Sequence, residues 1–125
     1  MRVFLLLAAL SGFLAVALGA FGAHGLKSKL SALPDAADRL GWWHTGAQYH
    51  LAHALALGLV AVLAERRPGG ALTVSGWAFL AGTVLFSGSL YLMTLTGVRG
   101  LGAVTPIGGL SFLIGWAALA WAARG

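Results

Sequence analysis

The sequence predicts an all-α integral membrane protein, a bundle of four transmembrane helices, and three observations carry that prediction. Of its 125 residues 59% are apolar and only 9% charged, with a mean hydropathy of +0.88, whereas soluble domains carry roughly a quarter charged residues. The 11 charged side chains, 8 basic and 3 acidic, cannot cover the exterior of a water-soluble fold this small. Charge-free runs long enough to cross a bilayer, about 20 residues at 1.5 Å each, occur four times. No alternating ten-residue strands separated by turns are present, which removes the β-barrel.

The spans are placed at about 3–23, 45–64, 72–96 and 102–123 of a single transmembrane domain covering 1–125. Arg2 and the small residues around Gly19-Ala20-Phe21-Gly22-Ala23 resemble a signal peptide, but the apolar run exceeds the usual h-region of 7–15 residues, so a retained helix is expected. From 27 to 43 the chain turns polar. Pro34 and Asp35 open a short helix with Asp35 and Asp38 near its positive end, and the segment is expected to lie along the interface. Trp42 and Trp43 suit the aromatic belt where the chain enters the bilayer. Glu65-Arg66-Arg67-Pro68-Gly69-Gly70 stops the second span in a tight turn. The third ends near Thr94-Leu95-Thr96-Gly97, and Pro106 either sits in the first turn of the fourth or kinks it.

The net charge of +5 does not point to nucleic acid, because the basic residues stand singly at span ends and form no stripe. Such flanking charge reads as membrane anchoring, with the lipid bilayer as partner. Four spans put Arg2, Arg66, Arg67 and Arg124 on one face and Lys27, Lys29, Arg39 and Arg99 on the other, a tie that the N-terminal amine tips toward cytoplasmic termini. The chain has no cysteine, which excludes disulfides, thiolate metal sites and cysteine nucleophiles.

Glycines and small polar residues recur within the spans. Ala15, Gly19 and Ala23, and Ser111 and Gly115, lie one turn apart, the pattern by which lipid-embedded helices approach closely. An offset of 66 aligns Phe13-Leu14-Ala15 with Phe79-Leu80-Ala81 and Gly22 with Gly88, a correspondence that chance produces readily in Ala/Gly/Leu-rich sequence.

The four histidines collect toward one membrane face: His24 where the first span ends, His44, His50 and His53 where the second begins. His53 lies on the order of 15 Å along the helix from Trp43, within hydrocarbon. An imidazole there needs a hydrogen-bond partner, a metal or water; Tyr49, Gln48, Thr45, backbone and His24 are the partners within sequence reach. A polar clamp between helices, a metal or haem site, and a proton relay or substrate contact all remain open. No span contains Asp or Glu, which argues against a coupled transporter, and no nucleophile, base and orienting acid stand together.

Gly19-Ala20-Phe21-Gly22-Ala23-His24-Gly25-Leu26-Lys27, Leu85-Phe86-Ser87-Gly88-Ser89-Leu90-Tyr91, and Thr105-Pro106-Ile107-Gly108-Gly109 with Gly115-Trp116 resemble the family called domain of unknown function 423, which includes the human transmembrane protein 256. The resemblance covers nearly the whole chain, including Thr45-Gly46 through Tyr49 to His53 and Ala54-Leu55. It implies a multi-pass protein of the bacterial inner membrane and no established activity. Members often have Gln where this chain has His50, so His24, Tyr49 and His53 are the family-matching positions of a shared polar site. The expected role is non-enzymatic: a structural or accessory subunit of a membrane complex or homo-oligomer, with no cofactor. The alternative is a carrier or binding protein for a lipid, quinone or small solute that uses His24, Tyr49, His53 and His50.

Overall fold

The computed structural model describes residues 2–124, and among them every regular element is helical. Four helices are long and apolar enough to cross a membrane: α1 (Arg2–Leu30), α2 (Ala36–Arg66), α3 (Gly70–Thr96) and α4 (Thr105–Ala123), the last entered through a 3₁₀ turn over Arg99–Ala103. The N-terminal amine invoked for orientation lies outside the described residues. α1 is widened into π-helix over Gly22–Leu26 and α3 over Thr83–Ser87. Pro106 sits in the first turn of α4, where its missing N–H has no intrahelical acceptor to lose.

Residues 27–43 do not form a separate interfacial helix. α1 continues to Leu30, a short turn follows, and α2 begins at Ala36 and runs unbroken through Trp43 to Arg66. Backbone hydrogen bonding continues across a change in polarity, so a drop in hydropathy marks the membrane boundary but not the helix boundary.

α2 and α3 are the inner helices, and α1 and α4 pack outside them. Large apolar side chains such as Phe13, at 73% exposure, face outward, while Ser75, Ser87 and Thr94 are fully buried beside an apolar core that includes Phe4, Leu57, Val60 and Phe79. Apolar side chains on both sides of the helices follow from lipid as solvent: exposing leucine to acyl chains costs little, and the helices associate through close dispersion contact and interhelical hydrogen bonds.

A recurring close contact is an aromatic ring laid on a neighbour's glycine. Phe4 of α1 covers Gly76 of α3, Phe112 of α4 covers Gly82 of α3, and Phe79 of α3 covers Gly115 of α4. Gly108 of α4 rests on the backbone of Phe86 itself. Gly108, Ser111, Phe112 and Gly115 fall at i, i+3, i+4 and i+7, so one stripe of α4 carries this whole interface.

The hydroxyls are satisfied both along and across helices, and Thr94 reaches the Arg39 carbonyl of α2 as well as its own helix. Thr73, Thr83, Thr94 and Thr96 bond back to the carbonyl four residues earlier. Ser75, Ser87 and Ser111 reach across helices to the carbonyls of Gly115, Gly46 and Ala78, at 2.8, 2.7 and 2.8 Å. Two of those acceptors are glycines, whose bare backbone admits a short serine side chain.

Trp43 is not a belt residue. It is 2% exposed, its indole N–H donates to the Leu18 carbonyl at 2.7 Å, and the ring lies where a side chain on Gly22 would otherwise be. Trp42 is the rim tryptophan, with the Arg99 guanidinium 4.9 Å over its ring. On the same face Arg39 caps the end of α3: it donates to the Thr94 carbonyl at 3.2 Å and pairs with Asp35 at 3.0 Å. α3 ends on Gly97, whose φ of 73° suits glycine.

Candidate functional site

His50 and His53 stand three residues apart near the middle of α2, about a turn apart and turned toward different neighbours. The Nε2 of His50 is 3.0 Å from the Ser11 hydroxyl of α1, and its Nδ1 is 2.9 Å from the Tyr91 hydroxyl of α3. The His53 Nδ1–H donates to the Tyr49 carbonyl at 2.8 Å, and the Trp116 indole of α4 donates to the His53 Nε2 at 3.1 Å. A carbonyl can only accept and an indole N–H can only donate, so His53 carries its proton on Nδ1 and offers its lone pair at Nε2. Together the two imidazoles link α2 to all three other helices.

The surroundings of His53 are aromatic. Its ring stacks on Phe112 with centroids 3.6 Å apart and planes within 10°, meets Phe79 edge-on at 5.5 Å, and lies 5.9 Å from Trp116. The ring is 6% exposed. Tyr91 packs between His50 and Trp43, the latter at 4.6 Å, which ties this cluster to the glycine-backed Trp43 contact with α1.

Tyr49 does not enter the core through its hydroxyl. Its carbonyl holds His53, its ring lies 4.7 Å from Phe86 and 6.3 Å from Phe112, and its side chain stays 44% exposed. It forms one wall of a groove of about 500 Å³ between α2 and α4, whose other walls include His53, Phe86, Pro106, Phe112 and Trp116.

His24 stands apart from this cluster. It is exposed, as is His44, and no hydrogen bond or ring contact joins either to His50 or His53 among the described residues. The expectation that the histidines converge fails because they share a membrane level but not a direction: at 100° per residue, His24 and His44 face outward where His50 and His53 face in. Of the partners within sequence reach only the backbone of Tyr49 is used. Ser11, Tyr91 and Trp116 went unrecognised, since each lies on another helix; the only trace was that Tyr91 and Trp116 fall in the segments that carry the family resemblance.

Chemically the arrangement is saturated. No buried side-chain nitrogen or oxygen lacks a hydrogen-bond partner among the described residues, and no three His, Asp or Glu converge as metal ligands among them. The lone pair that would meet an iron or zinc, Nε2 of His53, is occupied by Trp116. A replacement of His50 by leucine strands the Tyr91 hydroxyl, while Ser11 can turn to its own helix's carbonyl. His50→Leu is therefore expected to cost about 1–3 kcal/mol, and the double variant His50→Leu/Tyr91→Phe to recover most of it. Thermal unfolding in mild detergent reads the difference; simple addition of the two losses would show that the pair is not coupled.

Residues 18–109 match the family described as protein of unknown function DUF423. The chain is 53% identical over 117 residues to the UPF0382 membrane protein YwdK of Bacillus subtilis, covering 93% of this chain and 91% of that one. It is 48% identical over 122 residues to the UPF0382 inner membrane protein YgdD of Escherichia coli K12, covering 93% and 85%. It is 42% identical over 120 residues to the UPF0382 membrane protein SSP2132 of Staphylococcus saprophyticus, covering 93% and 92%. No solved structure matches. Four apolar helices knit through glycine, serine and two inward histidines thus belong to a multi-pass membrane protein of the DUF423 family.

Proposed function

We propose that this protein is a non-enzymatic structural or accessory subunit of an inner-membrane assembly, or of a homo-oligomer, with no cofactor of its own. The observation that carries the reading is that both inward histidines are spent on holding helices together: His50 on α1 and α3, His53 on α4. The outer faces of α1 and α4, with Leu6, Phe13, Val16, Ile107 and Leu113 exposed, offer apolar surface to lipid or to a neighbouring membrane protein. The Escherichia coli relative's designation as an inner membrane protein supports the location.

Purification from native membranes in mild detergent, followed by mass spectrometry, tests the role. A stable assembly with other proteins or with itself, lacking a Soret band and bound metal, is the expected result. A lone monomer carrying a stoichiometric cofactor would overturn it.

The face holding Arg2, the α2–α3 turn and Arg124 is assigned to the cytoplasm: each face carries four Lys/Arg, and the N-terminal amine with the adjacent pair Arg66-Arg67 tips that tie. The chain has no cysteine, so single cysteines at Gly69 and Gly100 can be labelled cleanly. An impermeant maleimide added to intact cells should reach only Gly100→Cys; labelling of Gly69→Cys alone would reverse the orientation.

One observation favours a second reading, a carrier or binding protein for a lipid, quinone or small solute. The groove beside Tyr49 and His53 is lined by Phe86, Pro106, Phe112 and Trp116, and the Tyr49 hydroxyl makes no hydrogen bond among the described residues, so it remains available to a ligand oxygen. A bound small molecule whose occupancy falls in Tyr49→Phe would support this reading; unchanged occupancy in both Tyr49→Phe and His53→Ala would remove it.

A further inference from the structure

The two membrane faces treat their arginines differently. On the face formed by the α1–α2 and α3–α4 connections, Arg39 pairs with Asp35, and Arg99 lies 3.8 Å from Asp35 and 3.5 Å from Asp38. On the opposite face Arg66, Arg67 and Arg124 are exposed and have no carboxylate within ion-pair range among the described residues. These three guanidiniums are not scattered. All three residues line one cavity of about 630 Å³, formed by the end of α2, the α2–α3 turn, the start of α3 and the last turn of α4.

The cavity is amphipathic. Leu63, Leu72, Leu119 and Ala122 give it an apolar lining, and the exposed Arg66, Arg67 and Arg124 give it a basic one. Arg124 lies 3.7 Å over the ring of Trp121, which is itself exposed, as an interfacial tryptophan is. Gly69 and Gly70 carry no side chains into the opening, and no atom outside their own segment lies within 4 Å of where a Cβ would be. A volume of this size falls in the usual range for a small-molecule site, about 300–1,000 Å³.

We infer that this cavity binds the phosphate group of an anionic phospholipid, with the guanidiniums of Arg66, Arg67 and Arg124 around the phosphate and an acyl chain along Leu63, Leu72 and Leu119. Guanidinium matches phosphate oxygens in a planar, two-point geometry. A free inorganic phosphate satisfies the cations alone; a phospholipid satisfies the cations and the apolar wall together, at the depth where headgroup meets chain. Basic clusters at the ends of membrane helices attract anionic lipid in the same way.

Native mass spectrometry of the full chain, released from nanodiscs of phosphatidylcholine containing a minor fraction of phosphatidylglycerol, reads the lipid that stays bound. The wild type is expected to retain phosphatidylglycerol in excess of its share of the disc. Arg66→Gln, Arg67→Gln and Arg124→Gln should each lower that retention by about fivefold, the effect of one basic residue near an anionic surface. The pair Lys27→Gln/Lys29→Gln on the opposite face should leave it unchanged.

Absence of enrichment in the wild type overturns the site. So does an equal loss from the lysine pair, which would mean general attraction to the protein's positive charge. If inorganic phosphate stabilises the protein in pure phosphatidylcholine as much as phosphatidylglycerol does, the lipid assignment falls in favour of the free ion. Melting temperature in pure phosphatidylcholine checks the folding of each variant; Arg67→Gln, in an exposed turn, carries the test if the helical variants unfold.

Discussion

Gly108→Ala is expected to be the most damaging single-atom addition in this protein. The new Cβ would meet the amide nitrogen and Cα of Phe86 on α3, both backbone atoms, so no rotamer change relieves the overlap and α4 must move as a unit. Moving it also disturbs the Phe79 contact with Gly115, the Phe112 contact with Gly82 and the Ser111 hydrogen bond to Ala78, all on the same stripe. Overpacking costs about 1–3 kcal/mol where side chains can yield, and the loss here should reach the top of that range. Gly19→Ala is the matching control. Nothing lies within 4 Å of its Cβ position, so alanine in place of an interior helical glycine should stabilise by roughly 0.5–1 kcal/mol. Thermal unfolding of the two variants in mild detergent should therefore move in opposite directions. If Gly108→Ala proves as harmless as Gly19→Ala, close α3–α4 packing is not what holds the bundle.

His53→Ala should destabilise by about 2–4 kcal/mol, because the imidazole fills the space between Phe79 and Phe112 and its removal leaves a cavity bordered by rings. His53→Phe separates packing from polarity. A phenyl ring preserves the stack on Phe112 but leaves the Trp116 N–H without an acceptor, a loss of about 1 kcal/mol at the strength typical of membrane hydrogen bonds. The expected order of stability is wild type, then phenylalanine, then alanine, with tryptophan fluorescence of the phenylalanine variant altered by the freed indole. Phenylalanine as severe as alanine would show that the lone pair at Nε2 matters more than the ring, and would revive a ligand at that nitrogen.

The architecture was legible because bilayer thickness translates directly into run length. Charge-free runs, Pro68-Gly69-Gly70 between the second and third spans, and Thr96-Gly97 after the third give four helices without any knowledge of their contacts. Helix limits were less legible where polarity changed but hydrogen bonding did not, so the polar stretch before Trp43 read as a separate element and is the first part of α2. The small residues were visible as packing material, but Gly76, Gly82, Gly108 and Gly115 announce no partner in sequence; their partners are phenylalanines on other helices.

The site was half legible. His50 and His53 were singled out because imidazole in hydrocarbon must be satisfied, and the structure satisfies both. Which groups do so was hidden, since Ser11, Tyr91 and Trp116 lie 39, 41 and 63 residues away from the histidines they meet. His24 and Trp43 misled in opposite ways: a family-matching histidine stands outside the cluster, and a tryptophan at a polar boundary is buried.

By itself, then, the sequence determined the solvent, the number of spans, the family and the need for polar partners inside the bundle, because these depend on composition and on distance along one helix. Only the tertiary structure decided which direction each helix face points. That direction separates His53 on Trp116 from an exposed His24, and places Arg66, Arg67 and Arg124 around one cavity while Arg39 and Arg99 are neutralised on the other face. Helix rotation is fixed by packing between helices, which in lipid depends on where backbones can approach and not on where apolar residues fall.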